Sequence, residues 1–123
     1  MSMEKRSDEV GFRAAYAAKA EHLVIGIMSG TSLDGVDAVL LRVRTEGSGA
    51  ASGVELEKHV YLPYSDELRA RVDALCSPKT ARIDELTYVH FGLSEWYAEA
   101  VRLLLAEAGK RPSEVDAISM HGQ

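Results

Sequence analysis

The chain has 123 residues, 46% of them hydrophobic and 27% charged, with a net charge of −5. This is ordinary globular composition at the length of one domain, and its acidic balance gives no general attraction to nucleic acid or anionic lipid. The longest purely apolar run has about five residues, against the ~20 needed to cross a bilayer, so no membrane partner is expected.

The opening stretch MSMEKRSDEVGFRAAYAAKAEH has no apolar signal region, and Glu4, Asp8, Glu9 and Glu21 do not suit an organelle presequence. The single cysteine, Cys76, cannot form an internal disulfide, which points to a reducing, cytoplasmic setting. Cys76 ends an amphipathic stretch and is expected to be a small buried hydrophobe rather than a nucleophile. Phe12, Tyr16 and Ala20 recur at helical spacing, so residues 1–22 read as an N-terminal extension, either a surface helix or a frayed segment.

Leu23 to Met28 is a short apolar run of the kind that forms a strand buried on both faces. AVLLRVR (38–44) predicts a second strand, with Val39, Leu41 and Val43 on one face and Arg42 and Arg44 on the other. TEGSGAASG (45–53) reads as a hairpin loop. GVELEKHVYLPY predicts a third strand with Val54, Leu56, Val60 and Leu62 sharing a face; Lys58 interrupts the alternation, which suits an edge, and Pro63 ends it.

Ser65 is placed to cap a helix whose stripe is Leu68, Val72 and Leu75, stopped by Ser77-Pro78. Thr80 is expected to open a second helix and Gly109 to close it in the left-handed conformation. Its apolar positions are Leu86, Val89, Leu93, Trp96, Ala100 and Leu104, and its length of roughly 43 Å leaves room for a kink near Gly92. VDAISM (115–120) predicts a fourth strand leading into HGQ. This order describes an α/β domain with a mixed sheet and helices on one side. An ending on a polar tripeptide after a strand reads as the N-terminal piece of a larger protein.

GIMSGTSLDGVD (26–37), between the first two strands, holds the chemistry. Gly26, Gly30 and Gly35 permit unusual backbone angles and close approach, while Ser29, Thr31 and Ser32 offer hydroxyls beside main-chain amides, a combination suited to phosphate. Asp34 and Asp37 would repel bare phosphate and suit a divalent metal or ties to the turn. The same composition suits an ordinary β-turn, and the residues alone leave the two readings level. Neither the Walker pattern nor G-x-G-x-x-G is present.

IGIMSGTSLDGVDAVL resembles the N-terminal signature of the anhydro-N-acetylmuramic acid kinases, G-x-M-S-G-T-S-x-D-G-x-D, and SMHGQ resembles their S-H-G-Q segment with Met120 between the serine and the histidine. The similarity spans residues 23–123. It implies the first, ATP-binding lobe of a two-lobed sugar kinase, Hsp70 and actin class of fold, built on a ribonuclease-H-like sheet, with the second lobe absent. It implies that Gly30, Thr31, Ser32, Leu33, Asp34, Gly35, Val36 and Asp37 form the ATP loop, that His121 and Gln123 face the sugar, and that ATP and Mg²⁺ are used. In the wider class an Asp ends the first strand; here that place is Met28, which leaves Asp34 as the favoured metal contact.

The implied reaction opens the 1,6-anhydro bond with water and transfers phosphate to the sugar O6, giving N-acetylmuramic acid 6-phosphate in cell-wall sugar recycling. The catalytic aspartate of the family lies in a second phosphate loop, after HGQ and beyond residue 123, so this chain is expected to be inactive alone. Its partner is a small amino sugar, with homodimer formation left open. The alternative is a nucleotide-binding or regulatory module without catalysis. His22, His59 and His90 have no metal-ligand spacing and read as core or surface residues.

Overall fold

A computed structural model describes residues 3–47 and 50–123, and within the first helix the side chains from residue 11 on. The chain runs α1 (Met3–Ala18), β1 (Glu21–Met28), β2 (Gly35–Thr45), β3 (Ala51–Pro63), α2 (Asp66–Leu75), α3 (Ile83–Ala108), a short 3₁₀ turn (Pro112–Glu114) and β4 (Ala117–Met120). The strands form one mixed sheet in the order β3-β2-β1-β4, with β1 antiparallel to β2 and parallel to β4. This is the mixed α/β sheet expected from the sequence. Residues 48 and 49 of the predicted loop at 45–53 lie outside the described residues.

α2 and α3 cover one face of the sheet. Leu23, Ile25 and Ile27 of β1, Val36, Ala38 and Leu40 of β2 and Val60 of β3 meet Leu68, Val72, Val89, Ala100 and Leu104 there. Each large side chain so buried contributes roughly 1.5–3 kcal/mol of transfer free energy. The core row of β2 is therefore the reverse of the predicted one. Val39, Leu41 and Val43 lie on the opposite face because both rows of β2 are apolar, and alternation cannot then tell them apart. Arg42 and Arg44 prolong the core-facing row, where Arg42 pairs with Glu21 and Glu57 and Arg44 with Glu21 and Glu55.

β3 is an edge strand, as Lys58 suggested, but its apolar row does not stay on one face. The pairing slips between Leu40 and Leu41: Leu40 is opposite Lys58, whereas Leu41 is opposite Leu56. Glu57 is the extra residue of this bulge. It carries Val54 and Leu56 to the far face, 61% and 59% exposed, while Val60 stays in the core.

Ser65 caps α2, its hydroxyl accepting the Leu68 N–H at 3.2 Å. α3 starts at Ile83, three residues later than predicted. Arg82 is its cap residue, whereas Thr80 bonds back to the Ala74 carbonyl at 2.6 Å and so closes α2. α3 is unbroken through Gly92 and ends at Gly109 with φ 65°, as expected for a left-handed cap. Leu86 is exposed and Tyr97 buried, a rotation of the predicted stripe. Cys76 is exposed, contrary to the buried position expected, because it is the cap residue after the last turn of α2, its thiol donating to the Val72 carbonyl at 3.4 Å.

His22 is buried on the far face. Tyr16 of α1 stacks on it at 3.9 Å, and Nε2 of His22 lies 2.6 Å from the Tyr16 carbonyl oxygen. Helix α1 ends at Ala18, so Ala20 is not part of its face.

Candidate functional site

β1 and β4 are parallel neighbours, so the corner after Met28 and the segment after Met120 leave the sheet at the same end. The carboxyl ends of parallel strands are where ligands gather in α/β sheets. The topology thus brings together the two motifs that the sequence separates by some ninety positions.

The corner spans Ser29 to Asp34. The Leu33 N–H donates to the Gly30 carbonyl at 3.2 Å, and Asp34 O accepts the Tyr64 N–H at 2.9 Å. The left-handed residue here is Leu33, with φ 54°, and none of Gly26, Gly30 and Gly35 is in that region. The expectation that these glycines supply unusual angles is therefore corrected. Gly35 is required for space: an added Cβ would lie 2.6 Å from the Leu62 carbonyl oxygen and 2.8 Å from Pro63 Cα. A Cβ on Gly30 would meet nothing within 4 Å, so its outer side is open for a ligand. Thr31 and Ser32 are exposed at the tip.

Ser29 is different. It is 4% exposed, its Oγ lies 2.6 Å from the Tyr64 hydroxyl, and it donates to Gln123 Oε1. Gln123 Nε2 in turn donates to the Gly30 carbonyl at 3.2 Å. Burial pushes the Tyr64 phenol well above its ordinary pKa, against the opposing pull of the Ser29 hydrogen bond, so it stays a neutral hydroxyl. Trp96 stands 6.0 Å from the Tyr64 ring, centroid to centroid, and donates its indole N–H to the Pro63 carbonyl at 3.1 Å.

The two corner carboxylates have separate partners. Ser32 Oγ donates to Asp34 Oδ1 at 2.6 Å, and this bond, outweighing partial desolvation, holds the Asp34 carboxyl below its usual range. Desolvation and the negative charge of Asp34 raise the Tyr61 hydroxyl. Asp37 Oδ1 lies 2.7 Å from His59 Nε2. Among the described residues no group of three or more His, Cys, Asp or Glu side chains could hold a metal ion. A hydrated Mg²⁺ needs only one or two carboxylates beside phosphate oxygens, and exposed, ionised Asp34 fits that part.

Two clefts flank the corner. One, of about 360 Å³, is lined by Thr31, Ser32, Leu33, Asp66, Arg69 and Asp73 among others. The other, of about 380 Å³ on the far face, includes Gly26, Met28, Asp37, Ser119 and His121. Gly30, Thr31, Ser32, Leu33 and Asp34 thus stand together at the sheet end, with Gln123 against them. Val36 is fully buried and Gly35 is hemmed in by β3, so neither presents a side chain to a ligand. His121 is apart from the tip, across the sheet end beside Asp37.

Sequence reasoning missed Tyr64, Tyr61 and Arg69. Arg69, one turn into α2, is the cation beside the corner that the sequence pattern lacks, and it makes no ion pair among the described residues. Only its distance of four residues from the Ser65 cap could have signalled it.

No helix among the described residues is long and apolar enough to cross a membrane. Residues 22–123 match the family model described as anhydro-N-acetylmuramic acid kinase. Proteins named anhydro-N-acetylmuramic acid kinase are similar to this chain. That of Caldanaerobacter subterraneus is 40% identical over 105 residues, covering 85% of this chain and 26% of the relative. The one from Salinibacter ruber is 38% identical over 105 residues, with the same coverage. The one from Nitrosospira multiformis is 43% identical over 99 residues, or 80% of this chain and 25% of the relative. The chain spans about a quarter of the length of these curated relatives. It belongs to the anhydro-N-acetylmuramic acid kinase family.

Proposed function

We propose that this chain is the ATP-binding lobe of a cytoplasmic sugar kinase acting on 1,6-anhydro-N-acetylmuramic acid, built as the first, ribonuclease-H-like lobe of an actin-like fold. The observation that carries it is the meeting of the glycine corner and the HGQ segment at one end of the sheet, joined by Gln123 on Gly30, in a chain of this family.

In this reading the open side of Gly30 with the hydroxyls of Thr31 and Ser32 receives the ATP phosphates, and Arg69 adds positive charge. Asp34 would hold a hydrated Mg²⁺, which would neutralise phosphate charge, and the HGQ segment borders the sugar through His121 while Gln123 lies against the corner. Water adds to C1 and the C1–O6 bond breaks. O6 takes the γ-phosphoryl group and ADP leaves, while the proton of the water passes to a base. Such transfer depends on positioning and charge neutralisation as much as on the base. The resemblance puts the base in the second phosphate loop of the family, so residues 23–123 bind and orient but do not complete turnover.

The test is incubation of the purified chain with Mg-ATP and the anhydro sugar, beside equilibrium binding of Mg-ATP. Saturable nucleotide binding without product is expected. Absence of binding would remove the ATP-lobe reading, and multiple turnover would remove the inactivity of the isolated chain.

A further inference from the structure

We propose that Gln123 is a positioning residue that latches the segment after β4 to the glycine corner, with Ser29 and Tyr64 as its anchor, so that its amide serves the phosphate loop and His121 is left as the sugar-facing side chain of that segment. The inference deepens the kinase reading and rests on it for its functional meaning, though its geometry stands without any ligand.

Both halves of the Gln123 amide are engaged. Oε1 accepts from Ser29 Oγ, and Nε2 donates to the Gly30 carbonyl at 3.2 Å. That carbonyl is the one that also accepts the Leu33 N–H, so the amide bonds to the acceptor that defines the tip of the turn. The latch has a fixed base because Ser29 is buried and its hydroxyl meets that of Tyr64, itself buried and kept neutral by desolvation. Tyr64 is bound a second time, through its N–H, to the Asp34 carbonyl at the other end of the corner. The corner is therefore gripped at Ser29, at Gly30 and at Asp34 by two residues from outside it.

This arrangement reassigns two side chains. The Ser29 hydroxyl has both of its neighbours inside the protein and is not a donor to phosphate. Gln123 reaches the corner from the HGQ segment, so a displacement of that segment changes the support of the Gly30 carbonyl. Leu33 is held at φ 54°, a conformation that disfavours branched and bulky residues, and an unlatched corner would have reason to leave it.

The latch is tested by amide hydrogen exchange, followed by NMR in the intact 123-residue chain without nucleotide. Gln123→Ala, at an exposed position, removes both bonds. Gln123→Glu keeps the acceptor for Ser29 and removes the donor to Gly30. Tyr64→Phe removes the anchoring hydroxyl. Exchange at Leu33, whose N–H is bonded to the Gly30 carbonyl, is expected to quicken about three- to tenfold in Gln123→Ala, the span of one ordinary hydrogen bond, with the β1–β2 ladder unchanged. Gln123→Glu should give a similar increase at Leu33. Unchanged corner exchange in Gln123→Ala would overturn the latch, as would equal quickening of corner and ladder, which marks general loosening. Mg-ATP affinity should fall in both Gln123 variants, whereas Tyr64→Phe, which removes a buried hydrogen bond, should also lower the melting temperature. A wild-type chain that takes up no Mg-ATP would count against the kinase reading alone, since exchange is read without nucleotide.

Discussion

Leu23 and Asp116 are bound to each other twice: the Leu23 N–H donates to Asp116 Oδ2 at 2.8 Å, and the Asp116 N–H donates to the Leu23 carbonyl at 2.8 Å. Lys19 pairs with the other carboxylate oxygen, so one aspartate ties the start of β1, the lead into β4 and the chain after α1. Burial alone would raise the Asp116 carboxyl, but the Lys19 ammonium and the Leu23 amide prevail and hold it below the usual range. A lowered folded pKa stabilises above the ordinary aspartate value of about 3.9 and is lost as pH falls through the folded value. Asp116→Ala should cost about 1–3 kcal/mol near neutrality, read by urea unfolding. Asp116→Asn should flatten the acid limb of the stability curve below about pH 4.

Gly35 and Gly30 are expected to respond oppositely to the same change. Gly35→Ala drives a methyl group into the backbone of Leu62 and Pro63 and should cost about 1–3 kcal/mol or more. Gly30→Ala meets open space and should leave the melting temperature nearly unchanged. If phosphates occupy that space, Gly30→Ala weakens Mg-ATP binding without loosening the fold, as titration against thermal melting would show. Unaltered affinity would place the phosphates elsewhere.

Arg69→Ala should leave stability within about 0.5 kcal/mol, since the side chain is exposed and makes no ion pair among the described residues. The affinity for Mg-ATP or for inorganic tripolyphosphate should fall several-fold, and the salt dependence of binding should become shallower. Identical salt curves for the two proteins would exclude Arg69 from the anion site.

The bulge at Glu57 yields a prediction about solubility. Val54→Thr and Leu56→Thr alter side chains that are already exposed and leave a β-branched strand former at each position, so unfolding free energy should move by no more than about 0.5 kcal/mol. Self-association at high concentration, followed by light scattering, should decrease.

Most of the fold was legible because its elements carry local signals. The Ser65 cap, the Gly109 stop, the apolar run of β1 and Lys58 at an edge each have a cause within a few residues. What escaped depends on distant partners. The faces of β2 could not be chosen while both of its rows were apolar, and the bulge that turns Val54 and Leu56 outward is visible only in the pairing with Leu40 and Leu41. The corner was legible as a motif, whereas its supports were not. Tyr64 reaches Ser29 across thirty-five positions and Gln123 across ninety-four, separations at which no periodicity speaks.

The two rims of the sheet are unequal as templates. Along β3 a neighbouring strand would meet a kinked backbone, Lys58 and the carboxylates of Glu55 and Glu57, all of which resist further ladder growth. Along β4 it would meet four residues with Ile118 and Met120 uncovered and no charge among them. A strand added to this sheet is therefore steered to the β4 rim, next to the segment that carries Gln123 to the corner.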